Sequence, residues 1–194
     1  MDTPSITPFI DANYEVHQWR HAYAVLKSDF PDEYAEIADL LTQFRLKREW
    51  IETPGGSKSE VSSHIDGFLT KRGWVAKNFD TKIVVDENVT ESPTHEIDCF
   101  KNRIALEIEW NNKDPFYDRD LNNFRLLFDL RVVSVGVIVT RTDELQEIFN
   151  GLGRGKSYGN STTHMSKLLP RIQGGGGGGC PLLVFGIKKS LYVE

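Results

Sequence analysis

Apolar positions recur along this chain in two rhythms, one helical and one extended. From Asn13 to Asp29, Val16, Trp19, Tyr23 and Leu26 follow steps of three and four, which predicts a helix. Pro31, with Asp32 and Glu33 behind it, opens a second helix striped by Tyr34, Ile37, Leu41 and Phe44 and running toward Trp50. Residues 1–52 are thus read as an irregular leader of about twelve residues followed by a helical part. After Thr53–Gly56, the string Ser57-Lys58-Ser59-Glu60 has the form of a capping box, Ser57 capping and Glu60 reaching back. Val61, Ile65, Phe68 and Leu69 then stripe a helix that stops at Gly73.

Extended rhythm takes over at Trp74. Strands are expected at Trp74–Asn78 and Thr81–Asp86, with Ile83, Val84 and Val85 as a buried run, and Glu87–Thr94 is expected as a loop. In RIALEIEW, Ile104, Leu106 and Ile108 alternate with Ala105, Glu107 and Glu109. A turn at Lys101-Asn102 folds this strand back on the short run around Asp98. Helical spacing returns in Tyr117–Leu130, and Arg131–Thr140 is a β-branched run suited to a strand buried on both faces. A helix capped by Thr142 is expected to end at Gly151, another spans Ser161–Arg171, and Pro181–Ile187 is the last main strand before an edge-strand tail. Between them Gly174–Gly179 reads as a flexible loop. Helices flanking a mixed central sheet make the class α/β, and 194 residues suit a single domain.

Charge changes the picture in one place. The chain carries a net −5, which argues against indiscriminate nucleic-acid binding, yet Ile148–Val193 holds six lysines and arginines and no acid. A basic final quarter on an acidic body suits local contact with a polyanion. With two distant cysteines, no signal pattern and no apolar run of spanning length, the expected setting is a reducing cytoplasm without membrane contact. Gly155-Lys156-Ser157 invites a phosphate-loop reading, but Asn150 stands where the first Gly is required and a helix precedes it. Nucleoside triphosphate binding is therefore excluded, and the stretch reads as a basic loop able to approach a DNA backbone.

The chemistry concentrates in Ile97–Trp110. Period two sends Glu107 and Glu109 off one face of their strand, about 7 Å apart along it. The hairpin returns Asp98 beside them. Acids are disfavoured in strands, and two on one face repel unless a cation compensates. Three converging carboxylates make a hard-oxygen site for Mg²⁺, with Mn²⁺ as a substitute, of the kind that hydrolyses phosphodiesters. Glu60 is either a fourth acid of this site or a cap, with capping favoured. Lys58 and Ser59 sit where a helix N-terminus can meet phosphate. A metal-independent glycosidase also uses paired acids, but no aromatic sugar platform is evident.

The string around these acids is similar to a known family. Asp98, nine residues, then Glu107-Ile108-Glu109 resembles the D…(D/E)-x-K core of restriction-type nucleases. RIALEIEW, Lys113 and Phe116, Asp120-Leu121, VVSVGVIVTRTDELQ and PLLVFGI more closely resemble the BglII/BstYI family of type II restriction endonucleases, from about Asp98 to Ile187. The resemblance implies a restriction-endonuclease-like core and a homodimer that cleaves double-stranded DNA at a short palindrome built on GATC, with Mg²⁺. It also implies Asp98, Glu107 and the Ile108 carbonyl as metal ligands and Glu109 in the place where most of the superfamily has Lys. Glu109 is then a candidate to orient or deprotonate water. Asn111, Asn112, Arg154 and Lys156 are candidates to read base edges, and Lys113 to meet the scissile phosphate. A repair or junction-resolving nuclease with the same core, and a DNA-binding relative without catalysis, are the alternatives.

Overall fold

The protein is described by a computed structural model covering residues 3–53, 58–91 and 94–194. Its centre is a six-stranded mixed sheet. Taken in chain order, a short helix α1 (Pro8–Asn13) leads into an edge strand β1 (Tyr14–Trp19). Helices α2 (Ala22–Asp29) and α3 (Pro31–Gln43) follow, then β2 (Leu46–Lys47), α4 (Arg48–Glu52), α5 (Glu60–Thr70) and β3 (Val75–Lys77). A separate hairpin, β4 (Lys82–Val85) and β5 (Asn88–Glu91), precedes β6 (Ile97–Lys101) and β7 (Ile104–Ile108). The remainder is α6 (Phe116–Asp129), β8 (Val135–Arg141), α7 (Leu145–Gly151), α8 (Met165–Gln173), β9 (Leu182–Ile187) and β10 (Tyr192–Val193). The sheet order is β1-β9-β8-β7-β6-β3. Strands β7, β8 and β9 run parallel at the centre, and antiparallel neighbours close both sides.

Alternation along β7 sorts the two layers. Ile104, Leu106 and Ile108 face the cluster that includes Ile37, Leu40 and Ile65 from α3 and α5. Ala105 faces the other layer, with Tyr117, Leu121, Phe124 and Leu127 of α6 and Met165, Leu168 and Ile172 of α8. Glu107 and Glu109 share the parity of Ala105 and so belong to the α6 side. Gly136 on β8 lets α6 come close, since a Cβ there would lie 2.7 Å from the Phe124 ring.

Several expectations are corrected. Residues 13–29 are not one helix, because Arg20 and His21 both take left-handed backbone, at φ 55° and 57°, and split the run. The apparent helical stripe joined buried Val16 of a strand to Leu26 of a helix. The leader contains α1, and the N-terminal part includes strands β1 and β2. Ser57 lies outside the described residues. Ser59 caps α5, its hydroxyl accepting from the Ser62 amide at 3.0 Å. Ile83, Val84 and Val85 are exposed, and Asn88–Glu91 pairs with them in a sheet of its own instead of forming a loop. The β6–β7 turn centres on Asn102-Arg103, one residue later than expected, both at positive φ as a type I′ hairpin requires. Thr142 does not cap α7, which begins at Leu145, and its hydroxyl donates instead to the Ile187 carbonyl at 3.0 Å.

The six glycines follow a defined path of turns. The Gly174, Gly176 and Gly178 amides donate to Pro170, Arg171 and Gly175 carbonyls, and Gly177 is buried. The tail pairs as expected of an edge strand, β10 lying parallel to β2. Cys99 and Cys180 are free and buried. Among the described residues no helix is long and apolar enough to cross a membrane.

Candidate active site

The β6–β7 hairpin brings the first acids together. Cys99 pairs with Leu106, so the preceding step sets Asp98 opposite Glu107. Asp98 Oδ2 accepts from the Ile108 amide at 2.8 Å, and the Asp98 amide donates to Glu107 Oε2 at 3.2 Å. Asp98, Glu107 and Ile108, named as metal ligands from the sequence, therefore form one connected group. Glu109 lies just past the end of β7. Its amide donates to the Val139 carbonyl at 2.9 Å, and its carbonyl accepts from Thr140 Oγ1 at 2.9 Å. Both Glu107 and Glu109 are buried, while Asp98 is half-buried.

A fourth acid completes the cluster. Asp120 rises from α6, fully buried, and one of its oxygens accepts from Arg119 Nε at 3.0 Å and Nη2 at 2.9 Å. The same Arg119 reaches Glu109 Oε1 at 3.5 Å and stacks over Phe116 at 4.2 Å. Asp120 was missed as a site residue although its signal was present. It shares the helix face of Tyr117, Phe124 and Leu127, and an acid on a buried stripe needs a reason. His95 is the other missed neighbour. It is exposed, feels the charges of Arg119, Asp120 and Asp98, and has its pKa lowered chiefly by desolvation and then by Arg119.

Electrostatics mark the cluster as short of positive charge. Burial, then Asp120 and Asp98, pushes the Glu107 carboxyl well up. Burial, then the Asp120 charge and a hydrogen bond shared with Asp120, pushes Glu109 up to about 9. Asp98 and Asp120 are raised as well, in each case first by desolvation. Glu107 Oε1 and Asp120 Oδ2 are buried with no donor among the described residues, so a shared proton or a cation has to serve them. Uncompensated buried carboxylate oxygens are costly, and a hard cation is the group that satisfies them. Among the described residues no three His, Cys, Asp or Glu side chains form a ready-made metal cage. A divalent cation held by Asp98 and Glu107 would thus also draw on backbone oxygen and water.

The remaining sequence-predicted residues scatter around this centre. Lys58 pairs with Asp66 at 2.6 Å and lies within the field of Asp98, while Ser59 is occupied as a cap. Glu60 is the exposed first residue of α5, and no hydrogen bond ties it to the acids among the described residues. Asn112 Nδ2 donates to Glu109 Oε2 at 3.0 Å, so that amide is committed to the cluster. Asn111 has left-handed backbone at φ 59°, and its side-chain oxygen is buried without a partner. Lys113 and Lys156 are exposed, whereas half-buried Arg154 reaches the Thr53 carbonyl at 3.4 Å. The basic final quarter is partly neutralised. Arg171 pairs with Asp118 at 2.9 Å and Lys189 with Glu147 at 3.1 Å.

Comparison with known families decides what this acid cluster belongs to. The family model described as "Restriction endonuclease BglII/BglIII" matches residues 14–187, nearly the whole chain and all four acids. The chain belongs to the BglII/BglIII restriction endonuclease family. It is a hydrolase of the type II restriction class that cleaves DNA, on the restriction-endonuclease-like fold described above. Restriction endonucleases generally use divalent metal ions. No curated protein matches the chain.

Proposed function

We propose that the enzyme acts as a homodimer on double-stranded DNA, cleaving each strand at a short palindrome built on GATC with Mg²⁺ as cofactor. One observation carries the metal-dependent chemistry: acids from both strands of a hairpin meet where Glu107 Oε1 is buried with no hydrogen-bond donor among the described residues. Asp98, Glu107 and the Ile108 carbonyl would hold Mg²⁺, which when bound supplies charge neutralisation at the phosphate and a more acidic water. Glu109, two residues on, would orient that water and take its proton once a cation favours its charged form. Arg119 bridges Glu109 and Asp120. Lys58, Lys113, Arg154 and Lys156 offer positive charge to the DNA backbone. The dimer and the GATC core are supported by the resemblance to the family.

The test is digestion of plasmid DNA with purified protein and Mg²⁺, followed by sequencing of the ends. The expected ends all read one palindrome, vanish with a chelator and are lost in Glu107→Ala. Scattered nicks, or cutting confined to branched DNA, would overturn the assignment.

A further inference from the structure

Loop Asn111–Asp114 leaves the acid-bearing strand and is zipped to a second loop, Tyr158–Thr163. The Thr163 amide donates to the Asn112 carbonyl at 2.8 Å, and the Asn112 amide donates to Thr163 Oγ1 at 3.2 Å. Lys113 bridges Thr162 in antiparallel fashion, and the Asp114 amide donates to the Ser161 carbonyl at 3.0 Å. The second loop is pinned from below by Arg141, at the end of β8. Its guanidinium is 1% exposed and donates through Nη2 to the Tyr158 carbonyl and to Thr162 Oγ1, both at 3.0 Å.

Arg141 has no carboxylate within ion-pair distance among the described residues, and it lies over the Phe149 ring at 5.2 Å. An arginine buried without an acid is expensive, and its Nε is left without a partner. What it holds in place is the loop that continues the Gly-rich segment carrying Arg154 and Lys156. The other end of the same unit is Asn112, whose side-chain amide fastens Glu109 at 3.0 Å.

We propose that Asn112 is a positioning residue for Glu109, held in register by Thr163 and by the Arg141-anchored loop, so that the basic loop and the reacting carboxylate move as one unit. This rests on the nuclease reading above. A rigid amide on Glu109 keeps that carboxylate aimed, and small misplacements of a reacting group cost up to about a hundred-fold in rate.

Thr163→Val keeps the shape and removes the acceptor for the Asn112 amide, while Asn112→Asp keeps the size and removes the donor to Glu109. In metal-free ¹⁵N-labelled protein, the Asn112 side-chain signal, identified by its loss in Asn112→Asp, is expected to shift in Thr163→Val. Single-turnover cleavage is expected to fall about ten-fold in Thr163→Val and further in Asn112→Asp. Duplex affinity of Thr163→Val, measured with Ca²⁺ in place of Mg²⁺, stays within about two-fold. An unmoved Asn112 signal, or rate and affinity falling by the same factor, overturns the proposal. If the wild type cuts no duplex at all, the nuclease reading fails by itself, and the Asn112 signal still decides whether the two loops are coupled.

Discussion

Strand β7 and the β4–β5 hairpin invert each other. The first, with the residue just past its end, buries two glutamates and the second exposes β-branched side chains: Ile83, Val84, Val85 and Val89 are between 55% and 64% exposed, while Glu107 and Glu109 are 1% exposed. Composition predicts the opposite for both. What separates them is the layer on top. Strand β7 sits inside a six-stranded sheet under α6, so everything on it is covered whatever its polarity. The hairpin pairs with itself alone, and two strands have no second layer to bury their apolar faces. Burial is set by position in the sheet, and a residue that disagrees with its position either has a chemical task or lies where folding demands little.

That contrast can be broken most sharply at Glu107. Glu107→Ala is expected to lower the cleavage rate by more than about a thousand-fold while leaving the metal-free fold intact, as circular dichroism and plasmid nicking together would check. Loss of fold along with activity would mean that the acid serves packing. The next largest effect separates covered from uncovered apolar strands. Ile138→Ala in β8 should cost about 2–5 kcal/mol in urea unfolding. Ile83→Ala in the hairpin should stay within about 0.5 kcal/mol.

The acids' own titration gives a third test. Glu109 is raised to about 9 and Glu107 is raised too, so the folded state holds protons that the unfolded state releases. Their contribution is fully present below the unfolded carboxylate range and declines as pH climbs toward 9. The melting temperature of metal-free protein should therefore fall between about pH 5 and pH 9, less steeply in Glu109→Gln. Mg²⁺ at a hundred-fold excess over its Kd should restore about 2.7 kcal/mol at pH 8, a shift of roughly 5–10 °C. An effect on cleavage smaller than that of Glu107→Ala is expected at Asp120. Asp120→Asn should slow cleavage about ten-fold and flatten the pH dependence of stability, because it removes one of the charges that crowd Glu107 and Glu109.

Much of the centre was readable from residues alone. The juxtaposition of Asp98 and Glu107 was legible because strand periodicity fixes which side chains share a face, and a hairpin fixes what lies opposite, whereas Glu109 falls just past the strand. Core strand β8 was legible within the β-branched run Arg131–Thr140. Asp120 was not, because helix α6 was judged by its apolar stripe and the acid within that stripe was passed over. The hairpin misled because Ile83-Val84-Val85 looks like a core strand, and a short run carries no record of whether another layer will cover it. Asn13–Asp29 misled because two left-handed residues, Arg20 and His21, cut a helical spacing in two without a Gly or Pro to announce it.

The run Gly174–Gly179 bears on the acids from a distance. A Cβ on Gly177 would sit 2.5 Å from Leu182, and one on Gly176 3.1 Å from Leu121, the neighbour of Asp120. The tract is a spacer of minimal thickness, letting the chain slip between α6 and β9 with side chains of both pressed close. A methyl group added at position 178, 2.6 Å from the Arg125 side chain, would therefore press on the helix that carries Asp120.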